Sequence, residues 1–506
     1  MFRISKIIFD NYKIFRHIEI DLNEKINIFV GDNGSGKSSI LQGIELALSG
    51  STTKIQNIGL ESLINIDAVN ECLVRRDIKF LPKLIIEVYL VNDSEASPKD
   101  EIYFGEKNKS RKEAFGVALI CEPREEYMPD IAACITSDNP VFPYELYRIY
   151  HLTFKGERFN QYKKPLKTIF VNGAEINFKY ALLNTIKDTY VSSVTEYERA
   201  QNRQNYRNLI GQYKFAGLAQ QEGICISSNL EDNLSIEQGG VHIENLGQGE
   251  INIIKISYAI KHANDDTSVV FLEEPENHLT HCRMRKILGE ITKKSDYQQV
   301  FVATHSSQIV TRLGLSHVFF ISKGVPPVSL KNIDINTSDF FKKAPNDNLL
   351  QFILSKKVIL VEGAAEYILM DYFYTQETGN SPERDDVWII SVNNLSFKRY
   401  LKIAGLIHNR VAVITDNDRS SIPKYVEYRG NEIQVFSDID PNRYTFEKCI
   451  YDDNKQFCEL IFGKEDTLNW MLNNKAESAY QILQKIGTGL FRAPDYIKQA
   501  VLWIRK

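Results

Sequence analysis

Gly31-Asp32-Asn33-Gly34-Ser35-Gly36-Lys37-Ser38 is a glycine, four free positions and then Gly-Lys-Ser, the spacing of a phosphate-binding loop. Ile26-Asn27-Ile28-Phe29-Val30 before it is a β-branched, aromatic run that predicts a buried strand, and Ser39 to Leu48 predicts a helix. A strand feeding a glycine turn feeding a helix aims backbone N–H groups and a helix N-terminus at one phosphate. Asn33, Gly34, Gly36, Lys37, Ser38 and Ser39 are therefore the candidate nucleotide contacts. Lys37 would reach the β/γ-phosphates, and the Ser38 hydroxyl would hold Mg²⁺.

Upstream, Phe2 to Leu22 alternates apolar and polar residues as two half-buried strands do, with Asp10-Asn11 expected as the turn. Downstream, Lys83 to Val91 is a further strand candidate, Asn92 to Lys112 a charged loop, and about 113 to 175 a continuation of mixed sheet. Residues 177 to 221, including Tyr180 to Leu183 and Tyr213, lack proline and space apolar residues among polar ones. One or two helices are expected there, packed either on a partner subunit or on their own head.

Asn245-Leu246-Gly247-Gln248-Gly249-Glu250 is a glycine-flanked turn opening a helix from Ile251 to His262, another possible anion site through Gly247, Gln248 and Gly249. Ser268 to Leu272 is a buried strand ending in Glu273-Glu274. Beside a phosphate loop, the first acid fits Mg²⁺ binding and the second fits polarisation of the attacking water. Gln299 to Ala303 is a further buried strand, followed by Thr304 and His305, which is placed to sense the γ-phosphate.

A second chemistry begins near Lys356. Lys357 to Val361 predicts a buried strand ended by Glu362-Gly363, followed by a helix from Ala364 to Tyr374 that carries Glu366. Val387 to Val392 reads as a strand, Ser396 to Leu406 as a helix, and Val411 to Thr415 as a strand leading into Asp416-Asn417-Asp418. Strands alternating with helices imply a parallel sheet, whose carboxyl edge gathers ligands. Glu362, Glu366, Asp416 and Asp418 are hard oxygen donors without accompanying His or Cys, which suits Mg²⁺ or Mn²⁺ rather than zinc.

The whole chain of 506 residues is too long for one core. It contains 61 basic and 65 acidic residues, a net charge of −4, so there is no global basic field; a local basic groove is still compatible with that balance. The 7 cysteines form no C-x-x-C pair and read as reduced thiols. No leader-like start and no long apolar run is present, so a cytoplasmic protein without membrane spans is expected.

From the phosphate loop to His305 the elements resemble the ABC-type ATPase heads of the SMC and RecF group, over roughly residues 1 to 330. The resemblance implies ATP as the nucleotide, Lys37 and Ser38 as the Walker A pair, Glu273 and Glu274 as Walker B, and His305 as the switch histidine. Leu246 to Glu250 stands as the signature that touches ATP in the opposite subunit. The sequence departs from the family there, with Gly247 in place of the usual serine, and again at Asn277, where an acidic residue is common. No glutamine stands out as the Q-loop residue.

Glu-Gly-x-x-Glu with Asp-x-Asp resembles the Toprim domain. An ATPase head followed by a C-terminal Toprim is similar to the OLD (overcoming lysogenisation defect) family, which includes the Gabija nuclease subunit and retron-associated effectors. That resemblance implies an α/β fold in four stretches: head 1–175, helical dimerisation insert 176–222, head 223–345, and Toprim nuclease domain 346–506. It implies Glu447 of Thr445-Phe446-Glu447 as a further metal ligand, and Lys475 of the Lys-x-Glu-x-Ala helix as a transition-state cation. The expected activity is ATP-regulated, metal-dependent cleavage of DNA, most simply duplex, in antiphage defence. Expected partners are further copies of the chain, in a homodimer or tetramer through the ATPase heads, and a companion helicase or reverse transcriptase. The same residues also allow a DNA-holding repair ATPase or an RNase toxin acting on tRNA. No tyrosine context marks a topoisomerase and no zinc site marks a primase.

Overall fold

The computed structural model describes residues 2–92, 100–173, 190, 194–212, 229–235, 237–261, 267–294, 298–344, 348–392, 397–420, 424–486 and 491–506. By internal packing the chain divides into one unit of residues 1–29 and 36–304, and another of 30–35 and 305–506. Most of the stretch read as a helical insert, including Tyr180 to Leu183 and Tyr213, lies outside the described residues.

The first unit carries an antiparallel sheet built on β1 (Phe2–Tyr12), β2 (Phe15–Asp21), β4 (Leu84–Asn92), β5 (Phe104–Gly105), β6 (Ala114–Pro123) and β7 (Tyr147–Thr153). Its order is β2-β1-β4-β6-β5, with β7 also on β6. The first hairpin turns at Lys13-Ile14 and not at the expected Asp10-Asn11, because Asp10 stays in register with His17 and Tyr12 pairs with Phe15. Asn11 and Lys13 take left-handed φ of 50° and 48°, which shifts the reversal to the later dipeptide.

A parallel sheet lies in the same unit: β3 (Ile26–Val30), β8 (Lys167–Asn172), β9 (Thr267–Glu273) and β10 (Gln299–Ala303), ordered β3-β10-β9-β8. Every residue of β3 and β10 is buried, as expected of strands covered on both faces. Helix α1 (Lys37–Ser49) follows β3 and buries Ile40, Leu41, Ile44 and Leu48. The buried Gln299 carboxamide joins this sheet to β1: it accepts from the Ile4 N–H at 2.9 Å and donates to the Ile4 and Asn23 carbonyls at 2.8 Å each. Helix α2 (Glu196–Gly211) is the described part of the insert, and α3 (Gln248–Lys261) and α4 (His281–Lys294) flank β9.

The second unit opens with an antiparallel pair, β11 (Val318–Ser322) and β12 (Val325–Ser329). Its parallel sheet contains β13 (Lys357–Val361), β14 (Val387–Ser391), β15 (Arg410–Ile414) and β16 (Ile433–Phe436), in the order β14-β13-β15-β16. Crossover helices α5 (Ala364–Thr378) and α6 (Phe397–Ile407) connect the strands, and α7 (Phe446–Asp453), α8 (Lys475–Lys485) and α9 (Asp495–Arg505) complete the layer. Leu369 and Phe373 of α5, Ile450 of α7, Ile482 of α8 and Ile497 and Val501 of α9 form one core over Ile359 and Ala412. Burying such side chains contributes about 1.5–3 kcal/mol each. Of the six described cysteines, Cys72, Cys121, Cys449 and Cys458 are buried, and none of the six is in a disulfide.

Candidate active sites

The phosphate loop connects β3 to α1. Gly34 and Gly36 have φ of 75° and 101°, and a Cβ at Gly36 would lie 2.4 Å from the Phe15 ring, so both position and conformation demand glycine. The Ser35 N–H closes the turn on the Asp32 carbonyl at 3.1 Å. Helix α1 has no side-chain cap and no acid in its first turn, which leaves its N-terminal N–H groups to an anion. Lys37 is buried at the start of that helix, Asn33, Gly34 and Ser38 are exposed, and Ser39 is half-buried.

At the end of β9, Glu274 takes a left-handed φ of 44° and donates its N–H to the Ala303 carbonyl at 2.8 Å. Such a backbone costs about 1–3 kcal/mol and marks a side chain held in one direction. Asn277 donates its carboxamide to the Glu274 carboxylate at 2.8 Å, a positioning contact that the sequence reading did not assign. The Thr304 hydroxyl binds Glu276 at 2.7 Å, and His305, the next residue, is half-buried. Lys13 was also missed. Its ammonium donates to Gln42, burial lowers its pKa, and the nearby Glu273 carboxylate opposes that fall.

Gly247 precedes α3 and accepts the Glu250 and Ile251 N–H groups at 2.9 and 3.0 Å. A Cβ there would meet nothing within 4 Å, whereas one at Gly249 would lie 2.3 Å from the His278 carbonyl. Gln248 begins the helix and is exposed. The buried Asn252 side chain donates to the Asn277 carbonyl at 2.7 Å, and Arg283 pairs with Glu250 at 3.1 Å. Helix α3 is thus tied to the loop that carries Asn277, the partner of Glu274.

In the second unit the acids meet at the carboxyl edge of the parallel sheet. Glu362 directly follows β13 and accepts from the Thr415 hydroxyl at 3.1 Å and the Asp416 N–H at 3.3 Å. Glu366 folds back from the first turn of α5 to accept the Gly363 N–H at 3.1 Å, and is buried. Asp416 accepts the Phe446 N–H at 2.8 Å. The Thr-Phe-Glu run acquires a local reason: Thr445 caps α7, Phe446 enters the core, and Glu447 is buried. Lys475, at the start of α8, reaches Glu447 at 3.0 Å.

Burial raises Asp416 to about 8, with the Glu366, Glu362 and Glu447 carboxylates adding to the rise and Lys475 opposing it. Glu366 rises to about 7, first from burial and then from Glu447 and Glu362. Burial pulls Lys475 down, but Glu447, Asp416 and Glu366 outweigh it and the net shift is upward. The five groups therefore share one electrostatic site.

Asp418 is placed apart from this group. It has φ of 51°, its side chain is 62% exposed, and its carboxylate pairs with Lys424, which also feels Glu362. Between the two aspartates, the buried Asn417 donates to the Asp438 and Asp440 carbonyls at 3.0 and 2.8 Å and pins the loop after β16. Neither Lys424 nor Asn417 is marked by a motif.

The donors are of the chemical kind that suits a divalent cation, although their side chains are not arranged around one. Burial first, and neighbouring carboxylates second, drive Glu366 and Asp416 toward the neutral form, with Lys475 opposing the shift in both. Among the described residues no group of three or more His, Cys, Asp or Glu side chains is arranged so that it could hold a metal ion. Glu447 is taken by Lys475, and Glu366 and Asp416 by backbone N–H groups.

Comparison with known proteins agrees with this division. Residues 353–418 match the family model for the overcoming lysogenization defect protein-like TOPRIM domain, and residues 6–301 match that for an AAA domain. A 45-residue stretch, 9% of this chain, is 44% identical to structural maintenance of chromosomes protein 6 of Saccharomyces cerevisiae; it covers 4% of that protein, so the chain spans a small fraction of this relative. Among solved structures, the SMC head domain from Thermotoga maritima is 14% identical, with a TM-score of 0.31, over 65% of this chain and 99% of that one. The Smc head bound to the C-terminal domain of ScpA derived from Pyrococcus furiosus is 13% identical, with a TM-score of 0.35, over 65% and 97%. With the AAA model alone spanning more than half of the sequence, the chain belongs to the AAA-domain family and carries an OLD-like TOPRIM domain in its C-terminal part.

Proposed function

We propose that the protein is an ATP-regulated, divalent-metal-dependent endonuclease that nicks or cuts duplex DNA, acting as a cytoplasmic antiphage effector of the OLD type. The observation that carries this reading is the group of buried Glu366 and Glu447 and half-buried Glu362 and Asp416, with Lys475 beside them, at one sheet edge. Glu362, Glu366, Asp416 and Glu447 would hold Mg²⁺ or Mn²⁺, with Asp418 joining after release from Lys424. When bound, the cation supplies charge stabilisation to the entering and leaving oxygens of the phosphodiester.

Glu362 accepts the proton of the attacking water, whose oxygen bonds to phosphorus in line with the departing ester oxygen. That P–O bond breaks, and the leaving oxygen takes a proton from solvent. Lys475, oriented by buried Glu447, offsets the charge that builds on the non-bridging oxygens. In the head, Lys37 and Ser38 hold ATP and Mg²⁺, with Asn33, Gly34, Gly36 and Ser39 around the phosphates. Glu273 completes the metal contact, Glu274 activates water, His305 senses the γ-phosphate, and Gly247 to Gly249 serve a second copy's nucleotide. The working boundaries are those of the four stretches 1–175, 176–222, 223–345 and 346–506. Paired heads, in a dimer or tetramer, would gate access of DNA to the cutting site, with a helicase or reverse transcriptase as companion. Among the described residues no helix is long and apolar enough to cross a membrane.

Incubation with supercoiled plasmid and with tRNA, in Mg²⁺ or Mn²⁺, tests the reading. Nicked or linear plasmid is expected, with loss on Asp416→Ala. Cleavage of tRNA alone would replace the substrate, and plasmid cleavage surviving Asp416→Ala would remove the site.

A further inference from the structure

The loop after β15 is built around Asn417, the buried residue between the two aspartates. Its carboxamide oxygen accepts the Arg419 N–H at 2.9 Å. Its nitrogen donates to the Asp438 and Asp440 carbonyls at 3.0 and 2.8 Å, and to that of Arg443 at 3.4 Å. One side chain thus holds together the segment that carries Arg419 and the segment that leads into Tyr444. Asp418 and Arg419 take left-handed φ of 51° and 64°, an unfavourable backbone for residues with a Cβ, which the Asn417 bond to Arg419 helps to hold. The result is a stacked pair: the Arg419 guanidinium lies over the half-buried Tyr444 ring, 4.5 Å from its centre.

Other arginines nearby are committed. Arg443 bonds to Asp438 at 2.7 Å and to both oxygens of Asp453 at 2.7 and 2.8 Å, and Arg429 donates to the Val435 carbonyl at 2.7 Å. Arg419 is exposed, and its guanidinium forms no ion pair and no hydrogen bond among the described residues. The acid next to it in the chain, Asp418, is paired with Lys424. Stacking on tyrosine orders the guanidinium while its N–H groups keep no protein acceptor.

The same two segments carry the acid cluster, since Asp416 accepts the Phe446 N–H at 2.8 Å and Glu447 follows. Three residues of chain put the Arg419 backbone at most about 11 Å from that of Asp416. Three steps along one strand of B-DNA cover about 10 Å. A phosphate within a few steps of the cleaved one therefore falls at the arginine's distance, and the planar fork of a guanidinium matches two phosphate oxygens.

We propose that Arg419, ordered on Tyr444, binds a backbone phosphate of duplex DNA beside the one that is cut. The proposal takes its substrate from the nuclease reading above and adds the residue that seats the strand. The first test is fluorescence anisotropy of the full-length protein with a labelled duplex of about 30 base pairs in EDTA, across a KCl series. Arg419→Gln removes the charge but keeps a planar amide on Tyr444, and should reduce the slope of log K against log [salt] by about 1. Arg419→Lys keeps the charge and should keep the slope. The second test is cleavage of the same duplex in Mn²⁺. Arg419→Gln should raise KM about 10-fold with kcat unchanged, because a phosphate away from the reacting one is held equally before and in the transition state. Tyr444→Leu should give part of that rise at the wild-type slope, and light scattering should give one mass for all four proteins.

An unchanged slope in Arg419→Gln overturns the proposal, as does absence of duplex binding by the wild type. A lower kcat at constant KM also overturns it, by moving Arg419 into the chemical step, and a changed mass does so in favour of a contact between copies. Binding and cleavage are scored separately: the expected slopes without wild-type cleavage reject only the nuclease reading, and cleavage with an unchanged slope rejects only the Arg419 site.

Discussion

Asp416→Asn removes one charge from the acidic cluster and keeps the oxygen that accepts the Phe446 N–H. In the native chain burial, and then the Glu366, Glu362 and Glu447 carboxylates, push the Asp416 carboxyl up to about 8 from an ordinary value of 3.8. The folded state therefore holds this proton more tightly than the unfolded chain does. Stability of the metal-free protein falls as pH rises from about 4, and the loss is complete above about 8. Four units at about 1.4 kcal/mol each set a ceiling of about 6 kcal/mol. Because Glu362, Glu366 and Glu447 remain to repel one another, removing Asp416 should recover about 2–4 kcal/mol of this at pH 8.5. The assay is thermal unfolding in EDTA at pH 5.5 and 8.5, with and without Mn²⁺. The wild type should lose several degrees between the two pH values and regain them with Mn²⁺, since a ligand of the native state stabilises it by mass action. The variant should show a shallower pH response, little Mn²⁺ effect and no plasmid cleavage. A wild type that gains stability with pH, or a variant less stable than the wild type at pH 8.5 in EDTA, would refute the reasoning.

Asp418→Ala should reduce plasmid cleavage by less than Asp416→Ala does, because the Asp418 carboxylate is exposed and turned to Lys424; equal losses would show that it swings into the metal site. Glu274→Gln keeps an oxygen for Asn277 and should lower ATP turnover by about 10²-fold or more while ATP still binds, with phosphate release and nucleotide binding as the readouts. Gly247→Ser places a hydroxyl where open space surrounds the new Cβ, so the fold should be unaffected and ATP-dependent pairing of heads, read by light scattering, should strengthen. Weaker pairing would mean that the backbone amides alone had served the site.

Both chemistries were legible because each sits where a buried strand ends. A run such as Ile26 to Val30, or Lys357 to Val361, has few ways to be buried other than in a parallel sheet, and the polar residue that follows must emerge at its carboxyl edge. The first hairpin turn was misplaced by local reasoning, since Asp10 and Asn11 have turn chemistry but the pairing of Asp10 with His17 and Ile85, and of Tyr12 with Phe15, keeps the dipeptide within β1. Asn277, Asn417, Lys13 and Lys424 carried no signal, because a lone amide or lysine acquires its role from the neighbour it meets.

By itself the sequence determined the phosphate loop, the strand-end acids and the order of the two chemistries, because these depend on spacing within a few residues, where backbone geometry leaves little freedom. Tertiary structure decided which acids act together. Glu447, 31 positions beyond Asp416 in the chain, joins Glu362, Glu366 and Lys475 in one field, whereas Asp418, two residues from Asp416, faces Lys424. Electrostatic coupling follows distance in space, and only the packing of α5, α7 and α8 over the sheet sets that distance.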